Sequence, residues 1–156
     1  MKQMNCLIIL LILINIMANF EKAYEKLALK EGGYVNDPDD CGGETYRGIS
    51  RKYNTFWKGW DMIDSYKKYY TGRVFIGKLD TDTQLQRLVK EQYKRGYWDV
   101  FNLDNIPSDS VAYQMFDTNV NCGKSTAIKI AQNVVGLKPD GKWSLELFNK
   151  LKNIKE

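Results

Sequence analysis

An amphipathic helix that ends at a pair of glycines is the feature that most constrains this fold. Apolar side chains recur at helical spacing and form one stripe, made of Phe20, Ala23, Tyr24, Leu27 and Ala28. Asn19 suits the N-cap position, and Gly32 with Gly33 suits a C-terminal stop. At about 3.6 residues per turn, Glu31 falls within about 20° of the apolar stripe. The sequence therefore predicts a helix whose last residue turns a carboxylate toward the core.

Such a placement suits Glu31 to acid catalysis. Partial burial disfavours the charged carboxylate, and the negative end of the helix dipole repels it. Both effects are expected to raise the pKa of Glu31, as a general acid near neutral pH requires. The alternative from position alone is an exposed glutamate at a frayed helix end, paired with a nearby lysine.

The segment from 31 to 50, "EGGYVNDPDDCGGETYRGIS", concentrates glycines and carboxylates. Its further acidic residues are Asp37, Asp39, Asp40 and Glu44. Glycine pairs and Asp-Pro favour turns, and "ETYRGIS" can extend, so a small hairpin is predicted. The hairpin would fold over the helix end and bring a second carboxylate to Glu31, as in a glycosidase. The alternatives are a solvated acidic loop and a calcium loop, although Cys41 occupies a ligand position of the calcium pattern and no glutamate ends it.

The composition narrows the chemistry to carboxylates. The chain has no histidine, which excludes the usual Ser-His-Asp and Cys-His hydrolases and zinc sites that need imidazole. The cysteines at 6, 41 and 122 show no CxxC spacing. A net charge of +4 is mild, and no nucleic-acid-binding signature is present, so no nucleic-acid partner is expected. No metal or other cofactor is implied.

The N-terminal residues 1–18 read as a targeting segment. One lysine precedes an apolar run from Cys6 to Ala18, which is shorter than the roughly 18 residues of a spanning helix. A basic start, a short apolar core and a small final residue are typical of a signal peptide. Two alternatives remain: a short uncleaved membrane anchor, and a true start at Met17.

The rest of the chain predicts mainly helix. Helical patterns fall at 85–93, with a stop at Gly96, at 107–121, at 127–135 and at 147–154. Trp98 is a candidate for stacking on a sugar ring, with a core aromatic as the alternative. Asn119 and Asn121 need polar partners, either backbone or substrate. With one small β element, the predicted fold class is α+β and mainly helical.

Three stretches carry a family resemblance. The run "FEKAYEKLALKEGGYVNDPDDCGGETYRGIS" resembles the N-terminal signature of glycoside hydrolase family 108, lysozyme-like N-acetylmuramidases. "FDTNVNCG" at 116–123 resembles the second signature of that family, and "AIKIAQNVVGLKPDGKW" its C-terminal peptidoglycan-binding segment. The resemblance implies a lysozyme-like fold with a hairpin or small sheet over the active-site cleft. It implies a catalytic region at 19–108 and a helical peptidoglycan-binding-like region at 109–156 packed on it.

The resemblance also assigns roles to residues. The catalytic glutamate falls on Glu31, and the second carboxylate on Asp40 with Thr45 beside it; Asp37 is the alternative to Asp40. Tyr34, Trp98, Asn119 and Asn121 are the expected substrate-binding residues. Cys41 and Cys122 depart from the family pattern. Both are expected to be buried free thiols, and the alternative is a disulfide between them if the chain is exported.

The implied activity is hydrolysis of peptidoglycan between N-acetylmuramic acid and N-acetylglucosamine. The alternatives are a lytic transglycosylase, in which one glutamate suffices, and a non-catalytic peptidoglycan-binding protein. We expect a monomer that binds peptidoglycan glycan strands and touches a membrane only through residues 1–18, if these are uncleaved. The expected location is secreted, periplasmic or at the cell envelope. A phage protein starting at Met17 would instead be cytoplasmic until a holin releases it.

Overall fold

The computed structural model describes residues 17–28, 32–37 and 43–154. Most of these residues are helical, and three short strands form one antiparallel sheet. The elements in chain order are α1 (Phe20–Ala28), β1 (Tyr34–Val35), β2 (Thr45–Tyr46), β3 (Ile49–Ser50), α2 (Gly59–Lys67), α3 (Gly72–Thr81), α4 (Thr83–Tyr93), a π-helical turn (Lys94–Trp98), two 3-10 turns (Asp99–Phe101 and Leu103–Asn105), α5 (Asp109–Cys122), α6 (Lys124–Val134) and α7 (Leu145–Lys152). The predicted α+β, mainly helical fold class is confirmed.

Side-chain caps fix where the helices begin. The side chain of Asn19 accepts a hydrogen bond from the backbone N–H of Lys22 at 3.2 Å, which confirms it as the N-cap of α1. Asp82, Ser108 and Ser144 cap α4, α5 and α7 in the same way. The predicted end of α1 at Glu31 lies outside the described residues.

The sheet is built around a tight hairpin. Thr45 pairs with Ser50 and Tyr46 pairs with Ile49 across the turn, while β1 pairs with the other edge of β2. The turn residues Arg47 and Gly48 have φ values of 45° and 75°, the positive pair that a type I′ turn requires. The predicted hairpin is therefore present, with a third strand added to it.

Contacts divide the chain into two units. Tyr24–Lys94 forms one unit, which contains the sheet and α2 to α4. Its core is made of fully buried side chains from the sheet and helices, among them Leu27, Tyr46, Ile63, Leu79, Leu85 and Val89. The hydroxyl of Tyr46 donates to the carbonyl of Leu79 at 3.1 Å, so the buried phenol is satisfied.

The other unit contains the described residues 17–23 and 95–154. Phe20, Trp98 and Phe116 pack edge to face at its centre, with ring centroids 5.5 to 5.9 Å apart. Gln132 holds the chain between α6 and α7 by donating to Asp140 and accepting from the N–H of Gly141. The predicted region boundary at 108/109 falls inside this unit.

The helix predicted to stop at Gly96 continues. The α-helical hydrogen bonding of α4 gives way at Lys94 to a π-helical turn that runs to Trp98. A Cβ added to Gly96 would meet no atom within 4 Å, so close packing does not require glycine at this position. Glycine lowers the helix propensity here but does not end the helix. The π-helical turn continues to Trp98, whose side chain is buried.

Candidate active site

The predicted site residues fall into three groups. Glu31 and Asp40, the two predicted catalytic carboxylates, lie outside the described residues. Tyr34 and Thr45 lie on adjacent strands of the small sheet, in the unit Tyr24–Lys94. Trp98, Asn119 and Asn121 belong to the other unit.

Thr45 is fixed at the centre of the sheet. It pairs with Val35 on one side and with Ser50 on the other. Its half-buried hydroxyl donates to the carbonyl of Gly43 at 3.2 Å, and the φ of Gly43 is 59°, a left-handed conformation that favours glycine. The hydroxyl oxygen keeps two lone pairs with which it can accept a hydrogen bond.

Tyr34 is held from several sides. Its hydroxyl donates to Glu44 Oε1 at 2.9 Å, and its ring packs edge to face on Phe75 with centroids 5.0 Å apart. The ammonium of Lys67 lies 5.4 Å from the ring centroid. Burial raises the pKa of the Tyr34 phenol, so the group is neutral at physiological pH and acts as a donor.

Glu44 is the centre of a charge cluster in the described structure. We call Tyr34, Glu44, Arg51, Asp64 and Lys67 the Glu44 cluster. Oε1 of Glu44 accepts hydrogen bonds from Tyr34 and from Lys67. Its Oε2 lies 2.7 Å from Arg51 Nε, an ion pair whose geometry is not that of a hydrogen bond. Only 13% of the Glu44 side chain is exposed.

Arg51 links Glu44 to helix α2. Its two terminal nitrogens donate to both carboxylate oxygens of Asp64, at 3.0 and 2.6 Å. This bidentate pair raises the pKa of Arg51 and lowers the pKa of Asp64. Burial, the largest single effect, would lower the pKa of Lys67, but its interactions with Glu44 and Tyr34 together outweigh burial and the pKa is raised. Arg51, Asp64 and Lys67 are therefore charged at neutral pH.

The contacts of Glu44 define what it can do. A general base needs a lone pair directed at the proton that it removes. In Glu44, Oε1 accepts from two donors and Oε2 lies beside the Arg51 cation, so the carboxylate is already paired and is suited to fixing the sheet on α2. The sequence interpretation noted Glu44 as one carboxylate of the loop but missed this network.

The sequence contained a local signal for one contact of this network, the ion pair between Glu44 and Arg51. Given the pairing of Thr45 with Ser50, Glu44 and Arg51 lie opposite each other across the hairpin, and opposite charges at such positions attract. The backbone N–H of Arg51 also donates to the carbonyl of Glu44 at 2.8 Å. The contribution of α2 has no such signal, because Asp64 and Lys67 meet the hairpin only in the folded chain.

Trp98 sits in a core environment. It is 1% exposed, its ring contacts Phe20 and Phe116, and its indole N–H donates to Asp104 at 2.7 Å. A ring buried to this extent offers no open face to a sugar. The structure therefore matches the alternative interpretation, a core aromatic, and gives no support to stacking.

The two asparagines have backbone partners. Asn119, 3% exposed, donates its amide to the carbonyl of Tyr97 at 3.0 Å. Asn121 is exposed and donates to the carbonyl of Asp117, one turn back in α5. Of the two predicted alternatives, backbone and substrate, the structure provides the first for both side chains.

Three further features of the described residues bear on function. Cys122 is an exposed free thiol, so the expected burial is wrong: the residue ends α5 and points to solvent there, whereas Cys41 lies outside these residues. Across residues 17–28, 32–37 and 43–154, no group of three potential metal ligands is found. Within the same ranges, every helix is too short or too polar to cross a membrane.

Comparison with known proteins identifies the family. One solved structure, described as "Structure of Brucella abortus SagA", matches with a TM-score of 0.55 and 24% identity over 87% of this chain and 70% of that chain, which supports the lysozyme-like fold. No curated protein sequence matches. The family model described as glycosyl hydrolase 108 matches residues 24–123, well over half of the chain. The chain therefore belongs to glycosyl hydrolase family 108 and is a glycoside hydrolase.

Proposed function

We propose that this protein is a peptidoglycan N-acetylmuramidase, which hydrolyses the bond between N-acetylmuramic acid and N-acetylglucosamine in bacterial cell walls. The family match over residues 24–123 carries the proposal, because it takes in the "EGG" run and the "FDTNVNCG" motif together. Glycoside hydrolysis commonly needs two carboxyl groups, and Glu31 and Asp40 are the pair that the family resemblance selects.

In the proposed reaction, Glu31 protonates the leaving glycosidic oxygen while a water attacks the opposite face of the sugar. Asp40 accepts one proton of that water. Thr45 supports a second contact: its own proton goes to Gly43, so its oxygen is free to accept the other water hydrogen. A water held by both groups would direct its lone pair at the anomeric carbon.

Attack by such a water inverts the anomeric centre. Inverting glycosidases separate their two carboxyl groups by about 6.5–9.5 Å, which leaves room for the water. We therefore expect the first product to carry the configuration opposite to that of the cleaved bond, which NMR during early turnover would detect. A retained configuration would show instead that the second carboxylate attacks the sugar and forms a covalent intermediate, which water then hydrolyses.

Product analysis tests the reaction itself. Purified peptidoglycan is digested, reduced with borohydride and analysed by mass spectrometry. Reduced muramic acid ends are expected. Anhydro-muramic ends would identify a lytic transglycosylase, reduced glucosamine ends would identify cleavage of the other bond, and binding without release of fragments would identify a non-catalytic wall protein.

Substitution of the carboxylates tests the assignments. We expect Glu31→Gln to lose about 10²–10⁴ in rate, since glutamine keeps the shape but has no proton to give. Asp40→Asn is expected to remove most activity, whereas Asp37→Asn and Asp39→Asn serve as matched controls that retain it. A folded Glu31→Gln protein within a few-fold of the parent rate would contradict the acid role. An inactive Asp37→Asn beside an active Asp40→Asn would move the second role to Asp37.

The proposed activity implies a place of action and a partner. We propose that the protein acts as a monomer on glycan strands, after secretion or in the periplasm or cell envelope. A phage enzyme that starts at Met17 would wait in the cytoplasm for a holin. Fractionation followed by N-terminal mass analysis distinguishes cleavage after Ala18, an uncleaved anchor and a start at Met17.

A further inference from the structure

An open pocket lies beside Tyr34, entirely within the unit Tyr24–Lys94. Its volume is 530 Å³, within the range of small-ligand sites, and its lining is Tyr34, Gly72, Arg73, Phe75 and Ile76. Most of this surface is apolar: Phe75 is buried, and the Tyr34 and Ile76 side chains are half-buried. The backbone of Gly72 adopts a φ of 54° there, and a Cβ on it would meet no atom within 4 Å, so this side of the pocket is open.

Arg73 is the one permanently charged side chain in that lining. It is exposed, and no hydrogen bond or ion pair joins its guanidinium to another residue of the ranges 17–28, 32–37 and 43–154. The other arginines near the sheet are occupied, since Arg47 pairs with Asp80 and Arg51 pairs with Asp64. Arg73 therefore retains its full capacity to bind an anion.

The surrounding charge favours an anionic ligand. The segment 67–73, "KKYYTGR", contains three basic residues and no acidic one. Glu44 neutralises Lys67, but Lys68 is exposed like Arg73. A positive rim around an apolar, aromatic floor fits a sugar ring that carries a carboxylate, because the ring packs on the floor and the guanidinium pairs with the carboxylate in bidentate geometry.

We propose that this pocket is a subsite for the muramyl sugar and that Arg73 reads a carboxylate on that sugar. The inference rests on the proposed function, since a muramyl unit is what a muramidase must bind. The inference goes beyond the proposed function because it names the residue that distinguishes the two sugars. Muramic acid carries a carboxylate and N-acetylglucosamine does not. Two sources supply this chemistry: the lactyl group, where no peptide is attached, and the acidic groups of the stem peptide, where one is.

Covalent geometry places the pocket within reach of the proposed acid. Tyr34 follows Glu31 by three residues, and three extended residues span at most about 11 Å between Cα atoms. Two linked sugar rings cover a comparable distance. A muramyl ring on Tyr34 can therefore belong to the same bound glycan as the bond that Glu31 would protonate.

Direct binding of uncleaved fragments to the full chain tests the proposal. The probes are the N-acetylglucosamine–N-acetylmuramic acid disaccharide with a free lactyl group, the same disaccharide as its methylamide, and the disaccharide that bears a stem peptide. Dissociation constants are measured by titration at low ionic strength, where the exposed charge is least screened. The variants are Arg73→Gln, Arg73→Lys and, as a matched charge-loss control far from the pocket lining in the chain, Lys150→Gln, an exposed lysine of α7.

We expect Arg73→Gln to weaken binding of a carboxylate-bearing probe by about tenfold, as for a lost charge-assisted hydrogen bond. Binding of the methylamide to Arg73→Gln, and binding of every probe to Lys150→Gln, should match the parent. Arg73→Lys should fall between Arg73→Gln and the parent, because lysine keeps the charge without the planar fork. An effect confined to the free disaccharide assigns the lactyl group, and one confined to the peptide-bearing probe assigns the stem peptide.

The proposal is overturned if Arg73→Gln weakens all three probes equally or none of them, or if the parent binds no probe. These results stay separate from the proposed function, because wall digestion by the same samples is measured independently. If the parent digests peptidoglycan and Arg73→Gln binds every probe as the parent does, the proposed muramidase activity stands and the proposed subsite is rejected. A melting curve for each variant verifies that the folded state is intact.

Discussion

At the scale of single residues, Glu44 carries more contacts than its place in a short loop would suggest. Removing a carboxylate from water is costly unless donors replace the lost hydration. The donors and opposite charges come from Tyr34, Arg51 and Lys67, and these contacts attach the sheet to α2. Because this sheet carries Thr45, the position of a predicted catalytic side chain depends on Glu44.

We predict that Glu44→Gln destabilises the protein by about 1–3 kcal/mol, because an amide cannot balance two cations and one of its ends repels donors. The measurement is the free energy of unfolding in denaturant. Glu91→Gln is the matched control: it breaks the exposed ion pair with Arg87 on α4, where the side chains are 59% and 47% exposed, and should cost less than about 0.5 kcal/mol. Equal effects from the two substitutions would show that burial of Glu44 contributes nothing.

At the scale of elements, the helices divide into those that the sequence predicts and those that it does not. The stripe of α1 and the patterns of α4 to α7 contain enough apolar positions for a helical period to be recognised. Helices α2 and α3 contain few buried side chains each, with Trp60 and Ile63 in one and Phe75 and Leu79 in the other. Two positions do not define a period, so these helices are not predicted from the sequence, even though α2 holds Asp64 and Lys67 of the Glu44 cluster.

The same limit explains how far the candidate site could be predicted. Hairpin chemistry in "ETYRGIS" is local, so Thr45 could be placed on a strand from its neighbours alone. The type I′ turn could not be predicted, because Arg47 occupies its first central position and a non-glycine residue with a φ of 45° is uncommon. Arg73 and the pocket depend on α3 meeting β1, a contact between distant parts of the chain that no local pattern encodes.

Two glycines in neighbouring helices should respond in opposite ways to alanine. At Gly59, the first residue of α2, a Cβ would stand 2.2 Å from the ring of Trp57, whose indole donates to Leu88. We predict that Gly59→Ala destabilises the protein by about 1–3 kcal/mol, because the indole must move. Gly77 lies exposed inside α3 with no atom within 4 Å of a Cβ, so Gly77→Ala should stabilise by about 0.5–1 kcal/mol.

Thermal melting of the two alanine variants beside the parent measures this contrast. A Gly59→Ala protein that melts at or above the parent temperature would show that Trp57 repacks without cost. A Gly77→Ala protein that melts below it would show that the α3 backbone depends on glycine at that position.

At the scale of the whole molecule, the backbone contacts of Ala18 and Asn19 have a measurable consequence. Ala18 is 7% exposed, and its N–H donates to the carbonyl of Ile106 at 2.9 Å. The next N–H, that of Asn19, donates to Asp109 at 2.9 Å. A chain cut after Ala18 keeps the second contact and loses the first.

We predict that a chain starting at Met17 is more stable than one starting at Asn19 by about 2 kcal/mol, the usual sum for one buried methyl group and one backbone hydrogen bond. Denaturant unfolding of the two purified chains measures the difference, and wall digestion by both verifies that neither loses the proposed active site. Equal stabilities would show that Ala18 contributes nothing to folding.

The Glu44 cluster also has an evolutionary consequence. Its two carboxylates and two cations cancel, so replacement of any one of them leaves the cluster with an uncompensated net charge. A lineage that loses Glu44 first is then under selection to discard Lys67 or Arg51 as well. Among relatives, these positions should accordingly change together and pass through few singly substituted forms, while the unpaired Arg73 should vary independently of them and follow the chemistry of the wall that each enzyme meets.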